Sequence, residues 1–193
     1  MPNILLAVTG GIAAYKMPSV VSALVNEGYD VKVMMTKAAE EFITPLTFSA
    51  LSHNQVFTEG VRFAYDGHIH HIELADWADV IVVAPATFNT VSKVLQKLAD
   101  NLVTSTIAAF TGRVMIFPAM NTHMWENLLT AEDDAHIIPL NTFGRRNIII
   151  YMPAEGKMAC GTTGLGKLES TRIIVTKIVK MVNHLESKEG EIV

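Results

Sequence analysis

The sequence predicts an α/β fold, a parallel sheet with helices on both faces, and three observations predict it. Continuous apolar runs at 3–8, 31–35, 80–84 and 114–117 have the length and composition of strands buried on both sides. Each is followed by a segment able to form a helix, and that alternation implies parallel strands. The first run closes on Thr9-Gly10-Gly11, the tight strand-to-helix turn with which such folds begin.

In chain order, the strand at 3–8 leads into a helix whose apolar positions Val20, Val21, Leu24 and Val25 repeat at helical spacing, with Gly28 as its stop. The second strand covers 31–35, the third 80–84. Residues 89–109 are helical in composition, and Asp100-Asn101 caps a second helix rather than lying inside the first. A fourth strand covers 114–117. Residues 141–167 hold Gly144, Pro153, Gly156, Gly161, Gly164 and Gly166, and read as a flap with one short strand at 148–151. Ser170 is a cap candidate for a last amphipathic helix carrying Ile174, Ile178, Val182 and Leu185. The tail 187–193 is polar and expected to fray.

The 193 residues suit one domain spanning 1–193. Half are hydrophobic and 18% charged, more apolar surface than a monomer of this size readily hides, which suggests burial in an oligomer. The net charge is -4, and neither half is basic: five basic residues face nine acidic ones up to position 96, then ten face ten. Nucleic acid is therefore an unsupported partner. No run approaches the ~18 apolar residues of a membrane span, and the start does not read as a secretory signal, so a cytoplasmic protein is expected. Cys160 is the single cysteine, which excludes an internal disulfide and a four-cysteine zinc site. It is either buried filler or chemistry.

The Thr9-Gly10-Gly11-Ile12-Ala13 loop places unpaired N–H groups and a helix start where a phosphate could sit, although a tight turn needs glycine in any case. A dinucleotide fingerprint would require spaced glycines and an acidic residue ending the second strand; the glycines here are adjacent and that position is Thr36. If 68–72 is extended, His68 and His70 share a face and His71 points away, so a three-histidine metal cluster is unnatural and no metal is assigned. Asn89 and Thr90 are good helix-starting residues regardless of function. Met124 and Trp125 follow a strand end and could be core filler or site.

TGGIAAYK (9–16), HIELADWAD (71–79) with PATFNT (85–90) and ADNLVTS (99–105), PAMNTHMW (118–125) and MACGTTGLGKL (158–168) together resemble the homo-oligomeric flavin-containing cysteine decarboxylases, on the phosphopantothenoylcysteine side of that family. The resemblance spans about 3–185 and implies a Rossmann-like (flavodoxin-like) doubly wound domain binding FMN. It implies that Gly10, Gly11, Ile12 and Ala13 cradle the FMN phosphate with Thr36 nearby, and that Asn89, Thr90 and Thr104 or Ser105 line the flavin pocket. It makes His71 the essential base, Asn121 the donor to the departing carboxylate, and Met124 and Lys167 substrate contacts. Cys160 becomes the proton donor of a closing reduction, a task suited to an ordinary thiol, which is mostly protonated at neutral pH.

The implied reaction is decarboxylation of 4'-phosphopantothenoylcysteine to 4'-phosphopantetheine in coenzyme A biosynthesis, through thioaldehyde and enethiol intermediates. The implied assembly is a homotrimer or homododecamer with interfacial sites. Against the family pattern stand Phe88 for a small residue, Leu95-Gln96-Lys97 for alanine and glycine, Leu128 for proline, an unfamiliar acidic stretch at 132–134, and Lys167 for arginine. Two other readings keep a place: decarboxylation of peptide C-terminal cysteines, against which Cys160 speaks, and a catalytically silent flavin-binding regulatory paralogue, motivated by Phe88. A flavin prenyltransferase fits the PAMN block and Cys160 poorly.

Overall fold

The computed structural model describes residues 2–59, 67, 69–128, 137–139 and 147–189. Its main sheet contains β1 (Asn3–Val8), β2 (Asp30–Met35), β3 (Val56–Thr58), β4 (Val80–Ala86), β5 (Arg113–Pro118), β6 (Ile137–Pro139) and β7 (Ile148–Tyr151). They lie in the order β3-β2-β1-β4-β5-β7-β6. All pairs are parallel except β6 with β7. The four predicted strands and the short one at 148–151 are all present.

Alternation along β1 divides the core. Ile4, Leu6 and Val8 face one side with Met17, Val20, Val21 and Leu24 of α1 (Met17–Asn26), Phe48 of α2 (Pro45–Ser52), and Ile174, Ile178 and Val182 of α7 (Thr171–Glu189). Leu5 and Ala7 face the other, with Leu74 of α3 (His70–Trp77), Val91 of α4 (Phe88–Leu95), Val103 and Ile107 of α5 (Leu102–Ala109), and Trp125 of α6 (Thr122–Glu126). Fully burying one such side chain contributes roughly 1.5–3 kcal/mol, so these two stripes outweigh every local preference in deciding the layers. The predicted doubly wound, Rossmann-like arrangement is what the chain adopts.

Several local expectations change. His70 opens α3, so 68–72 is not a strand: the helical period of Leu74 and Ala75 against α5 overrides the reading of alternating histidines, and His68 lies outside the described residues. Two helices do fill 89–109, and the second carries the predicted cap. Asn101 Oδ1 accepts from Thr104 N at 3.0 Å while Thr104 Oγ1 accepts from Asn101 N at 3.3 Å, a reciprocal box worth about 1 kcal/mol. Lys97, in the stretch where the family carries alanine and glycine, takes φ +59 just after α4, a left-handed turn that glycine would adopt at no cost.

In the glycine-rich stretch after β7, β8 (Ala154–Lys157) and β9 (Thr163–Lys167) form a separate two-stranded antiparallel sheet. Ser170 Oγ accepts from Ile173 N at 3.3 Å at the start of α7, and that helix runs on to Glu189, past the point where fraying is expected. Residues 141–146 and 190–193, and the acidic stretch 132–134, lie outside the described residues. No described helix is long and apolar enough to cross a membrane.

Strand order reverses direction between β1 and β4, and the crevice outside their carboxyl ends is where open α/β sheets bind ligands. The loops that follow β1, β4 and β5 all meet there.

Candidate active site

Thr9 joins the first two of these loops. Its buried hydroxyl donates to Pro85 O at 2.6 Å and accepts from Thr87 N at 3.0 Å. The two glycines that follow differ. A Cβ on Gly10 would stand 2.4 Å from Ala38 Cβ and 2.8 Å from Ala38 C, so packing alone demands glycine; on Gly11 the nearest atom would be Thr87 Cγ2 at an ordinary 3.6 Å. Gly11 instead lies between two cavities and lines both.

The first cavity, about 780 Å³, is lined by Gly10, Gly11, Thr36, Phe88, Asn89, Thr90 and Met124, within the size range of ligand pockets. Thr36 Oγ1 is buried there without a hydrogen-bond partner. Leaving a buried hydroxyl unsatisfied costs about 1–3 kcal/mol, so an acceptor or donor supplied from the cavity would be stabilising. Thr87 caps α4, accepting from Thr90 N at 3.4 Å and lying 3.1 Å from the Thr90 hydroxyl. Phe88 at the head of that helix is half-buried and forms part of the cavity wall.

The second cavity, about 470 Å³, has Gly11, Ile12 and Ala13 on one wall, Asn121 on another, and Cys160 and Lys167 of the hairpin on a third. Two glycines of β9 make that third wall possible. Gly166, at φ +142, sends its carbonyl to Met120 N at 2.9 Å, and a Cβ there would meet Met120 O at 2.3 Å; one on Gly164, at φ +157, would lie 2.7 Å from Thr122 Oγ1. Any larger residue would hold the hairpin off the 120–122 loop. Seated, it brings Cys160 Sγ within 3.5 Å of Asn121 Nδ2 and 3.0 Å of the Thr162 hydroxyl.

Asn121 is the N-cap of α6, and its Oδ1 accepts from His123 N at 2.9 Å. With the carbonyl so occupied, the amide nitrogen faces Cys160 and Thr162. Cys160 is exposed, and its thiol is not the ordinary one the sequence suggests. The Thr162 hydroxyl, then the Thr162 backbone and the Asn121 amide stabilise the thiolate and lower the pKa to about 7. A proton held at that affinity is readily given and recovered near neutral pH.

Thus Gly10, Gly11, Thr36, Asn89, Thr90 and Met124 come together around one cavity, and Gly11, Ile12, Ala13, Asn121, Cys160 and Lys167 around its neighbour. Three expected residues do not join them within one chain. Thr104 is committed to its capping box, and Ser105 Oγ donates to Ala99 O at 3.2 Å. His71, in the first turn of α3 and half-buried, lines neither cavity. Because α3 ends against the start of β4, its first turn points back toward the carboxyl edge of the sheet, on the α5 side. Trp125 is core, only 1% exposed. Sequence reasoning passed over Tyr15, Lys16 and Lys157 in the second cavity and Thr162 beside the thiol. Lys16 had a cue, since it follows the glycine loop directly.

Residues 1–183 match the family model described as Flavoprotein. The chain belongs to the flavoprotein family. Within it, the chain is 42% identical over 173 residues to the coenzyme A biosynthesis bifunctional protein CoaBC of Bacillus subtilis, covering 90% of this chain and 41% of that one. The chain therefore spans about two-fifths of the length of the bifunctional relatives it matches. It is also 42% identical over 178 residues to a Streptococcus mutans protein named "Probable phosphopantothenoylcysteine decarboxylase", covering 91% of this chain and 96% of that one. Among solved structures, a cysteine-to-serine variant of PPC decarboxylase complexed with pantothenoylaminoethenethiol superposes with a TM-score of 0.77 at 29% identity, over 94% of this chain and 98% of the other.

Proposed function

We propose that this chain is an FMN-dependent carboxy-lyase that converts 4'-phosphopantothenoylcysteine to 4'-phosphopantetheine in coenzyme A biosynthesis. The observation that carries the reading is the Asn121–Cys160 pair, an amide donor fixed by a helix cap and a thiol tuned to neutral pH, 3.5 Å apart on a cavity that adjoins the glycine loop.

The residues present fit FMN. The unpartnered Thr36 hydroxyl and the backbone of Gly10 and Gly11 offer donors to a phosphate, and Asn89 and Thr90 stand on the far wall of the same cavity. The chemistry FMN supplies when bound is a reversible two-electron oxidation of the substrate CH2–SH carbon, which gives the electrons of the breaking C–CO2 bond a place to go. The chain's own residues bind, orient and move protons. Asn121 Nδ2 holds the carboxylate as a neutral donor; an arginine there would stabilise the ionised ground state more than the transition state that loses the charge. Cys160 Sγ gives its proton to substrate carbon at the closing reduction. The β8–β9 hairpin, part of the 141–167 flap of a single domain, covers the substrate and keeps water out.

His71 acts as the base from a neighbouring copy of the chain. Its place outside both cavities, near the same sheet edge, supports a homo-oligomer, a homotrimer or a homododecamer, with sites at the boundaries. The test is incubation of flavin-loaded protein with phosphopantothenoylcysteine, following CO2 and the thiol product by mass. Stoichiometric 4'-phosphopantetheine is expected, and its absence from a flavin-loaded preparation overturns the proposal.

A further inference from the structure

Resting on the FMN part of that reading and not on turnover, we propose that the Phe88 side chain is a cofactor contact, an aromatic surface that meets the isoalloxazine and favours its oxidised form over its reduced form. Phe88 stands where the family pattern has a small residue. A ring that filled the cavity would exclude the flavin. Phe88 borders the space instead, and about 780 Å³ stays open beside it, within the range of ligand pockets.

The ring is not part of the core. It is half-buried, yet it packs with neither of the hydrophobic clusters that flank the sheet, and among the described residues it joins no aromatic pair. The buried positions of α4 are Thr90, Val91 and Val94. An aromatic side chain that the core does not absorb keeps its apolar area and its π surface for a ligand. The backbone that carries it is fixed: Thr87 N donates to the Thr9 hydroxyl at 3.0 Å, and Val91 N donates to Thr87 O at 3.0 Å. A stiff side chain on a fixed helix start has little freedom to lose when a ligand arrives.

The lining sorts by chemistry. Gly10, Gly11 and Thr36 offer donors, whereas Phe88, Ala119, Met120 and Met124 offer apolar surface. A ligand with an anionic end and a planar apolar ring system matches the two sets. The choice between redox forms follows from electron density. Oxidised isoalloxazine is electron-poor and the reduced form is electron-rich, while the π surface of a phenyl ring is negative. Contact with that surface is therefore more favourable for the oxidised form. By linkage, tighter binding of the oxidised form lowers the midpoint potential of the bound flavin.

The test compares wild type with Phe88→Ala, Phe88→Leu and Phe88→Tyr, each stripped of flavin and titrated with FMN. The Kd for oxidised FMN should rise about three- to tenfold in Phe88→Ala, the weight of one aromatic contact. It should rise less in Phe88→Leu and return to the wild-type value in Phe88→Tyr. If the loss is fivefold greater for the oxidised than for the reduced form, the midpoint potential of the bound flavin in Phe88→Ala rises by about 20 mV. Phe88→Tyr gives an independent readout: a phenol in contact with an excited flavin donates an electron to it, so bound-flavin fluorescence should fall well below that of wild type. Denaturant unfolding of the flavin-free proteins should hardly change, because the ring makes no core contact. Equal FMN affinity and potential in wild type and Phe88→Ala overturn the inference, as does Phe88→Tyr fluorescence that matches wild type. Tighter FMN binding by Phe88→Ala also overturns it and makes the ring an obstacle. Should wild type take up FMN but release no CO2 from phosphopantothenoylcysteine, the decarboxylase reading falls, and the same titrations still decide the contact.

Discussion

The two cavities that meet at Gly11 are built in different ways. The first is a consequence of the sheet: its floor is the carboxyl edge of β1, β2 and β4, tied by the buried Thr9 hydroxyl, and its glycine is dictated by Ala38. The second depends on an appendage. The β8–β9 hairpin has no strand in the main sheet, and it reaches the 120–122 loop through Gly166 and through Asn121. A cradle made by the core is present whenever the domain folds, whereas a wall made by a seated hairpin can be lost while the fold survives.

That contrast can be broken by one methyl group on each side. Gly166→Ala places a Cβ 2.3 Å from Met120 O at a φ of +142. The hairpin should stand off, and kcat should fall about a hundredfold, the scale of a misplacement near 1 Å. Flavin content and melting temperature should hardly move, and steady-state kinetics beside flavin absorbance checks this. If flavin is lost in parallel with turnover, the two cavities are not separable. Gly10→Ala should do the reverse. Its clash is with packed backbone, so a loss of about 1–3 kcal/mol in denaturant unfolding is expected together with weakened flavin binding.

Smaller effects sharpen the comparison. Thr36→Val removes a buried hydroxyl that has no partner in the chain, so flavin-free protein should be as stable or more stable by up to ~1 kcal/mol, while flavin Kd rises about tenfold. Equal loss in both would mean the hydroxyl has a structural task. Thr162→Val removes the largest influence lowering the Cys160 pKa. The thiol should then stay protonated to higher pH. With Cys160 in the proposed role of proton donor, an alkaline fall in turnover is expected near the pKa of about 7 in the native site, and it should move upward in the variant. Ultraviolet thiolate absorbance against pH measures it, and an unmoved curve counts against Thr162 as the cause.

The same contrast governs how much could be read from sequence. The strands that form the first cavity are valine-, isoleucine- and leucine-rich runs buried on both faces, and nothing but a central parallel strand fits them. The hairpin strands AEGK and TGLGK hold little to bury and three glycines, all at positive φ, so their composition resembles a loop; what makes them strands is the surface of α6 and the 120–122 loop, far away in sequence. The α3 start was misread because two adjacent histidines mask a helical period that only Leu74 and Ala75 against α5 reveal. Asn121 and Cys160 could be nominated through family resemblance, but their 3.5 Å approach could not, since 39 residues separate them. Lys16 and Lys157 were passed over because charge in a sequence carries no record of the cavity it faces.

The capping bond of Asn121 has a consequence for ageing of the protein. Slow hydrolysis of that side-chain amide would leave a carboxylate that still accepts from His123 N, so α6 would keep its start and the fold its cooperativity. The group turned toward Cys160, however, would change from donor to anion. Stored protein would then accumulate a folded population altered at the site, which intact-mass measurement, one dalton heavier, and the added negative charge would expose.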